Sequence, residues 1–183
     1  LGDPTDPLID AALGELHLQR DEPALAYPRL EAAARAFPTS GFVRVQLAAA
    51  ALRCGDVERA GRLLDAAAAM SGHDRFDSLT AVRAEWHAAR GDHAEARERF
   101  EWMRFHHRVP AVRARYALWL AGREDYVAAL TVLGEAIEYQ PTLVSLRRQH
   151  VELLERWWGG LAVEGRRRWL TERYLRAWLA DGA

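Results

Sequence analysis

Small and apolar residues recur along this chain with a helical spacing that itself repeats. Ala26, Leu30 and Ala33 stand at i, i+4 and i+7, as do Ala60, Leu64 and Ala67; Ala96, Phe100 and Met103; and Ala129, Leu133 and Ala136. That spacing puts each trio on one face of an α-helix. The leading Ala admits a neighbouring helix closely, and the large residue one turn on fills the space beside it. The leading Ala residues are 34, 36 and 33 positions apart, so a single unit of about 34 residues recurs.

A break precedes every trio: Asp21-Glu22-Pro23, Gly55-Asp56, Gly91-Asp92 and Glu124-Asp125. Gly costs little just past a helix end, and Asp accepts the first N–H groups of the next helix, so these are tight turns between antiparallel helices. Further breaks fall at Pro38-Thr39-Ser40-Gly41, Ser71-Gly72-His73-Asp74, Val109-Pro110 and Pro141-Thr142. The pattern predicts A helices over about 7–19, 41–53, 77–90, 110–122 and 143–158, and B helices over about 23–36, 57–70, 93–107, 126–139 and 161–180. No window alternates like a strand. Short loops throughout make residues 1–183 read as one array, with repeats at about 7–40, 41–74, 77–109 and 110–142 and a C-terminal capping pair at 143–181. A lone helix pair cannot bury its apolar face, whereas a stack can.

These residues resemble the tetratricopeptide repeat, whose unit carries an apolar–small pair in helix A, a turn, then Ala, a large residue, Ala and a closing Pro. Leu13-Gly14, Ala26, Leu30, Ala33 and Pro38 match the pattern, as do Leu47-Ala48, Ala60, Leu64 and Ala67. Ala84, Ala96, Phe100 and Met103 follow it more loosely, and Ala117, Ala129, Leu133, Ala136 and Pro141 restore it. The early Trp of the family's helix A is missing. Trp86 and Trp119 instead share a later position, where they are expected in the core. The resemblance implies an all-α fold, a right-handed α-solenoid of about five antiparallel helix pairs. Its inner wall, lined by A helices, is the family's usual binding surface.

Transferring the family's groove positions marks Leu8, Phe42, Val45, Ala49, Arg53, Leu118, Arg148 and Glu152 as partner-binding. Small and apolar in its middle, such a wall suits a peptide or partner helix with an apolar face. A neighbouring segment of a longer protein, or the second subunit of a homodimer, would fill it equally well. Chaperone-binding relatives clamp a carboxylate with Lys, Asn and Arg; this chain has neither Lys nor Asn, and all 25 of its basic residues are Arg. A second candidate patch combines Trp102 and Phe105 with Arg104 and Arg108. Trp102 lies about 200° around the helix from Phe100 and so faces away from the core, with packing between repeats as the competing expectation.

Composition removes other classes. Net charge is −1, which gives no global attraction to nucleic acid. Residues 1–40 carry 3 Arg against 7 acids and residues 143–183 carry 8 Arg against 5 acids. The run Arg166-Arg167-Arg168 opens an amphipathic segment that reads as a polar cap for the array. A single Cys54 excludes internal disulfides. The histidine pairs His106-His107 and His87/His93 lack metal-ligand spacing. No membrane span, phosphate loop or catalytic constellation stands out, so we expect no enzyme, no metal and no cofactor. The Arg-only, Ala-rich composition points to a GC-rich bacterial genome. A reducing cytoplasm is the first expectation for its compartment, with a low-cysteine periplasmic setting kept open. The leading functional expectation is a scaffold for protein partners, in a bacterial assembly or secretion system. The alternative is a recruiting or regulatory domain of a larger enzyme, such as a glycosyltransferase, or of a transcriptional regulator, suggested by the absence of an initiating Met and the abrupt end at Ala183.

Overall fold

The computed structural model describes residues 6–71, 77–106, 109–160 and 165. Among them lie nine α-helices and no strand: α1 Pro7–Gln19, α2 Pro23–Ala36, α3 Gly41–Arg53, α4 Val57–Ser71, α5 Asp77–Arg90, α6 His93–His106, α7 Pro110–Gly122, α8 Tyr126–Tyr139 and α9 Val144–Gly160. The expected break at 72–74, Arg108 and nearly all of the expected tenth helix fall outside the described residues. The chain divides into two compact units, Leu1–His107 and Arg108–Ala183.

In the first unit, α1/α2, α3/α4 and α5/α6 are antiparallel pairs, with α2 packed on α3 and α4 on α5. In the second, α7 pairs with α8, and α9 packs on α8 and more lightly on α7. Among the described residues the first unit is thus a stack of helix hairpins and the second a hairpin with a further helix packed on it, the architecture of an all-α helical-repeat solenoid. Every member of the four trios is at most 2% exposed, which fixes the register of the B helices. Facing them, Gly14, Ala48, Ala84 and Ala117 keep helix A close. A Cβ added to Gly14 would lie 2.5 Å from Leu30 Cγ, so only glycine fits there.

The A–B turns share one construction. Asp21, Gly55, Gly91 and Glu124 all have positive φ, between 59° and 86°. The N–H of the following residue then donates back to a carbonyl five positions earlier: Glu22 to His17 at 2.8 Å, Asp56 to Ala51 at 2.9 Å, Asp92 to His87 at 2.9 Å and Asp125 to Leu120 at 3.0 Å. The turn residue's own N–H donates to the carbonyl three positions earlier, and this paired closure satisfies helix-end carbonyls and requires a left-handed residue, where glycine is least strained. Beyond the turn, Asp56 and Asp125 cap α4 and α8 by accepting from Arg59 N at 3.0 Å and Ala128 N at 3.3 Å.

Two residues expected in the core are only half-buried. Trp86 packs against the core of the first unit, but its indole N–H donates to the Val57 carbonyl at 2.9 Å and Arg90 lies 4.6 Å from its ring. Trp119 stacks near Tyr116 at 6.0 Å, with Arg123 5.4 Å from its ring. An indole has a polar edge that must be satisfied, which holds the ring at the boundary. Trp86 also fixes its neighbour: a Cβ at Gly61 would lie 3.0 Å from three ring atoms. One repeat earlier, Tyr27 stands where α4 has Gly61, and Ala50 stands where α5 has Trp86. The large and small partners exchange sides between successive interfaces.

Candidate interaction surface

Leu8 and Phe42 occupy matching places in the first turns of α1 and α3, neighbouring A helices of the first unit, and are 65% and 54% exposed. Apolar side chains of this size left open at matching places on neighbouring helices mark a surface suited to contact. The rest of the expected wall differs. Val45 and Ala49 are 2% and 1% exposed, so both are core residues and offer nothing to a ligand. The cause lies in the run Ala48–Ala51, buried all round because α3 has helices on several sides and its small residues let them close in.

Arg53 is half-buried and engaged within the unit. Its Nη1 donates to the Leu18 carbonyl at 2.6 Å and stands 3.9 Å from the Asp21 carboxylate. It ties the end of α3 to the end of α1, and its role is that of a clasp at the wall's edge. In the second unit, Leu118 on α7 is 48% exposed, and Arg148 and Glu152 are exposed on α9.

The aromatic patch faces away from the core as its helical angle required. Trp102 is 40% and Phe105 76% exposed near the end of α6. The Trp102 ring stacks on His106 at 4.5 Å, and His106 Nδ1 lies 2.7 Å from the Trp102 carbonyl oxygen. Arg104 stands 5.7 Å from the Phe105 ring and donates to Glu101 at 3.2 Å. These local contacts prearrange the side chains without covering them.

The remaining chemistry is structural. His17 pairs with Glu22 at 2.7 Å and His87 with Asp92 at 3.4 Å, each across an A–B turn. Asp10 is buried and accepts from Arg29 at 2.8 Å, joining α1 to α2. Among the described residues no three His, Cys, Asp or Glu side chains converge to hold a metal, and no helix is long and apolar enough to cross a membrane. One exposed apolar surface escaped the sequence reading: Ile9 and Leu16 on α1. The repeat period could have found it, because the matching positions of α3 and α5 lie between stacked repeats.

The class these features define is the all-α helical repeat. Helix length, repeat period and turn geometry narrow it to the tetratricopeptide-type fold. Neither a family model nor a curated protein matches the chain. Solved structures do. The chain is similar to TTC0263, a thermophilic TPR protein of Thermus thermophilus, at a TM-score of 0.67 and 19% identity over 83% of each chain. It is also similar to the structure of the APC/C hetero-tetramer Cut9–Hcn1, at a TM-score of 0.59 and 17% identity over 82% of this chain and 30% of that one. At these identities the likeness establishes the fold.

Proposed function

We propose that this chain is a protein–protein interaction scaffold that takes a peptide or partner helix against the open first turns of its A helices. The observation carrying this reading is the exposure of Leu8 and Phe42 at matching first-turn places of neighbouring A helices, with the middle of α3 sealed by alanine. Adjacent helices lie about 8–10 Å apart, so the two side chains suit apolar residues at similar separation, such as positions two turns, about 10 Å, apart on an amphipathic helix. Leu118, in the third turn of α7, gives the second unit a separate exposed apolar contact. The Trp102–Phe105 patch is a second candidate, since exposed aromatics commonly anchor interfaces.

The test compares proteins captured from the source organism by the wild-type chain, Leu8→Asp, Phe42→Asp and Leu118→Asp, with circular dichroism as the fold control. An exposed site tolerates the charge, whereas a desolvated contact loses several kcal/mol. Selective loss of the same captured protein from folded variants is the expected result. Unchanged capture by all three variants would reject this surface. Loss confined to Trp102→Ala and Phe105→Ala would assign binding to α6.

A further inference from the structure

The side of α1 opposite its buried residues is apolar and open. Ile9, Ala12 and Leu16 are exposed along it. One and two repeats further on, Ile9 corresponds to Val43 and Leu79, and Leu16 to Ala50 and Trp86. Val43, Ala50 and Leu79 are all buried, and they belong to helices on which α2 and α4 pack. Helix α1 therefore presents the stacking surface of its fold uncovered by any described helix.

This surface is complementary to itself when reversed. From one end it reads Asp6, Ile9, the pair Ala12-Leu13, Leu16 and Arg20. An acid stands at the helix N-terminus and a base at the C-terminus, both exposed, with a large apolar side chain inside each end and a small exposed one at the centre. Asp6 and Arg20 each lie 7 residues from Leu13, and Ile9 and Leu16 flank nearly the same midpoint. Asp6 Oδ1 accepts from Leu8 N at 2.9 Å, and its second oxygen is left for another partner.

We infer that a second copy of this chain docks here, forming a two-fold dimer through antiparallel α1 helices. In that arrangement Asp6 of each copy meets Arg20 of the other, Ile9 meets Leu16 twice, and Ala12 sits at the dyad, where small side chains let two axes approach to about 8 Å. A parallel arrangement would set Asp6 against Asp6 and lose both ion pairs. One helix of 13 residues is about 20 Å long. The contact is therefore smaller than a standard specific interface and gives a weak, reversible, concentration-dependent dimer. It is separate from the proposed partner surface, since Leu8 points about 100° away from Ile9 around the same helix.

The experiment is sedimentation velocity on the full chain over a dilution series. The wild type is expected to dimerise, and Leu16→Asp to raise the dissociation constant about tenfold or more, with its helical spectrum retained. Asp6→Arg and Arg20→Asp should each weaken the dimer by opposing like charges. An equimolar mixture of the two should regain it, because both cross-pairs are then opposite in sign. A wild type that stays monomeric throughout overturns the inference, as does a mixture that gains nothing. A dimer that survives Leu16→Asp but is lost in Phe42→Asp would place self-association on the A-helix wall and likewise overturn it.

Discussion

Glu124→Gly should make the protein more stable. Glu124 holds φ at 63° in the α7–α8 turn, where Gly55 and Gly91 hold 86° in the matching turns of the first unit. A left-handed conformation costs an L-residue about 1–2 kcal/mol. Glycine removes that strain but returns about 0.5–1 kcal/mol through the greater freedom of the unfolded chain. The balance is a gain of about 0.5–1 kcal/mol. In a chain of this size that corresponds to roughly 1–4 °C in Tm. Glu124 is exposed, so little side-chain contact is lost with it. The converse substitution, Gly55→Ala, isolates the backbone effect, because an added Cβ there meets nothing within 4 Å. It should cost about 0.5–1 kcal/mol, the strain less the freedom that alanine removes from the unfolded chain. Thermal and urea unfolding followed by circular dichroism would measure both. If Glu124→Gly fails to stabilise while Gly55→Ala is neutral, the left-handed turn residue is not the source of strain.

Three further outcomes are expected. Tyr27→Phe should stabilise by about 1 kcal/mol, because the Tyr27 hydroxyl is buried with no hydrogen-bond partner among the described residues. Burial raises the Tyr27 pKa above 10.0, against the opposing pull of Arg59, so the folded state holds the proton more tightly than the unfolded chain does. Stability from this group is complete below about pH 10 and falls as pH rises further, and Tyr27→Phe should flatten that alkaline loss in urea titrations. Gly61→Ala should destabilise by about 1 kcal/mol: overpacking against Trp86 costs about 1–3 kcal/mol and improved helix propensity returns about 1. An unchanged Tm together with unchanged tryptophan fluorescence would contradict it. Ala60→Leu should lower stability by about 1–3 kcal/mol, since Ala60 is 0% exposed; an unaltered urea midpoint would show that the α3–α4 contact is looser than described.

The helices were legible because their signals are local. Pro7, Pro23, Ser40-Gly41, Pro110 and Asp125 mark helix starts in the sequence, and α1, α2, α3, α5, α7 and α8 begin and end where the pattern predicts. The trios were legible because a B helix buries one narrow stripe. The A-helix wall was harder to read, because burial there depends on neighbours along the array. Val45 and Ala49 share a helix with Phe42, yet α3 lies between other helices and loses its middle to them, while its first turn stays open. Ile9 and Leu16 show the reverse. Their sequence looks like that of Val43 and Ala50, and only the absence of a described helix outside α1 leaves them exposed. Arg53 has the composition of a binding residue, but its link to the Leu18 carbonyl depends on a contact 35 positions away.

The exchange of large and small residues between successive interfaces makes the order of these hairpins part of the information they carry. Joining α2 directly to α5 would bring Tyr27 to the side that accepts Trp86, two rings where the fold has room for one. Placing α4 before α3 would pair Gly61 with Ala50 and leave a void. Domain shuffling, repeat deletion and consensus averaging all assume that hairpins of one period are interchangeable parts. In this chain they are keyed to their neighbours, so a transplanted hairpin would need its matching residue changed along with it.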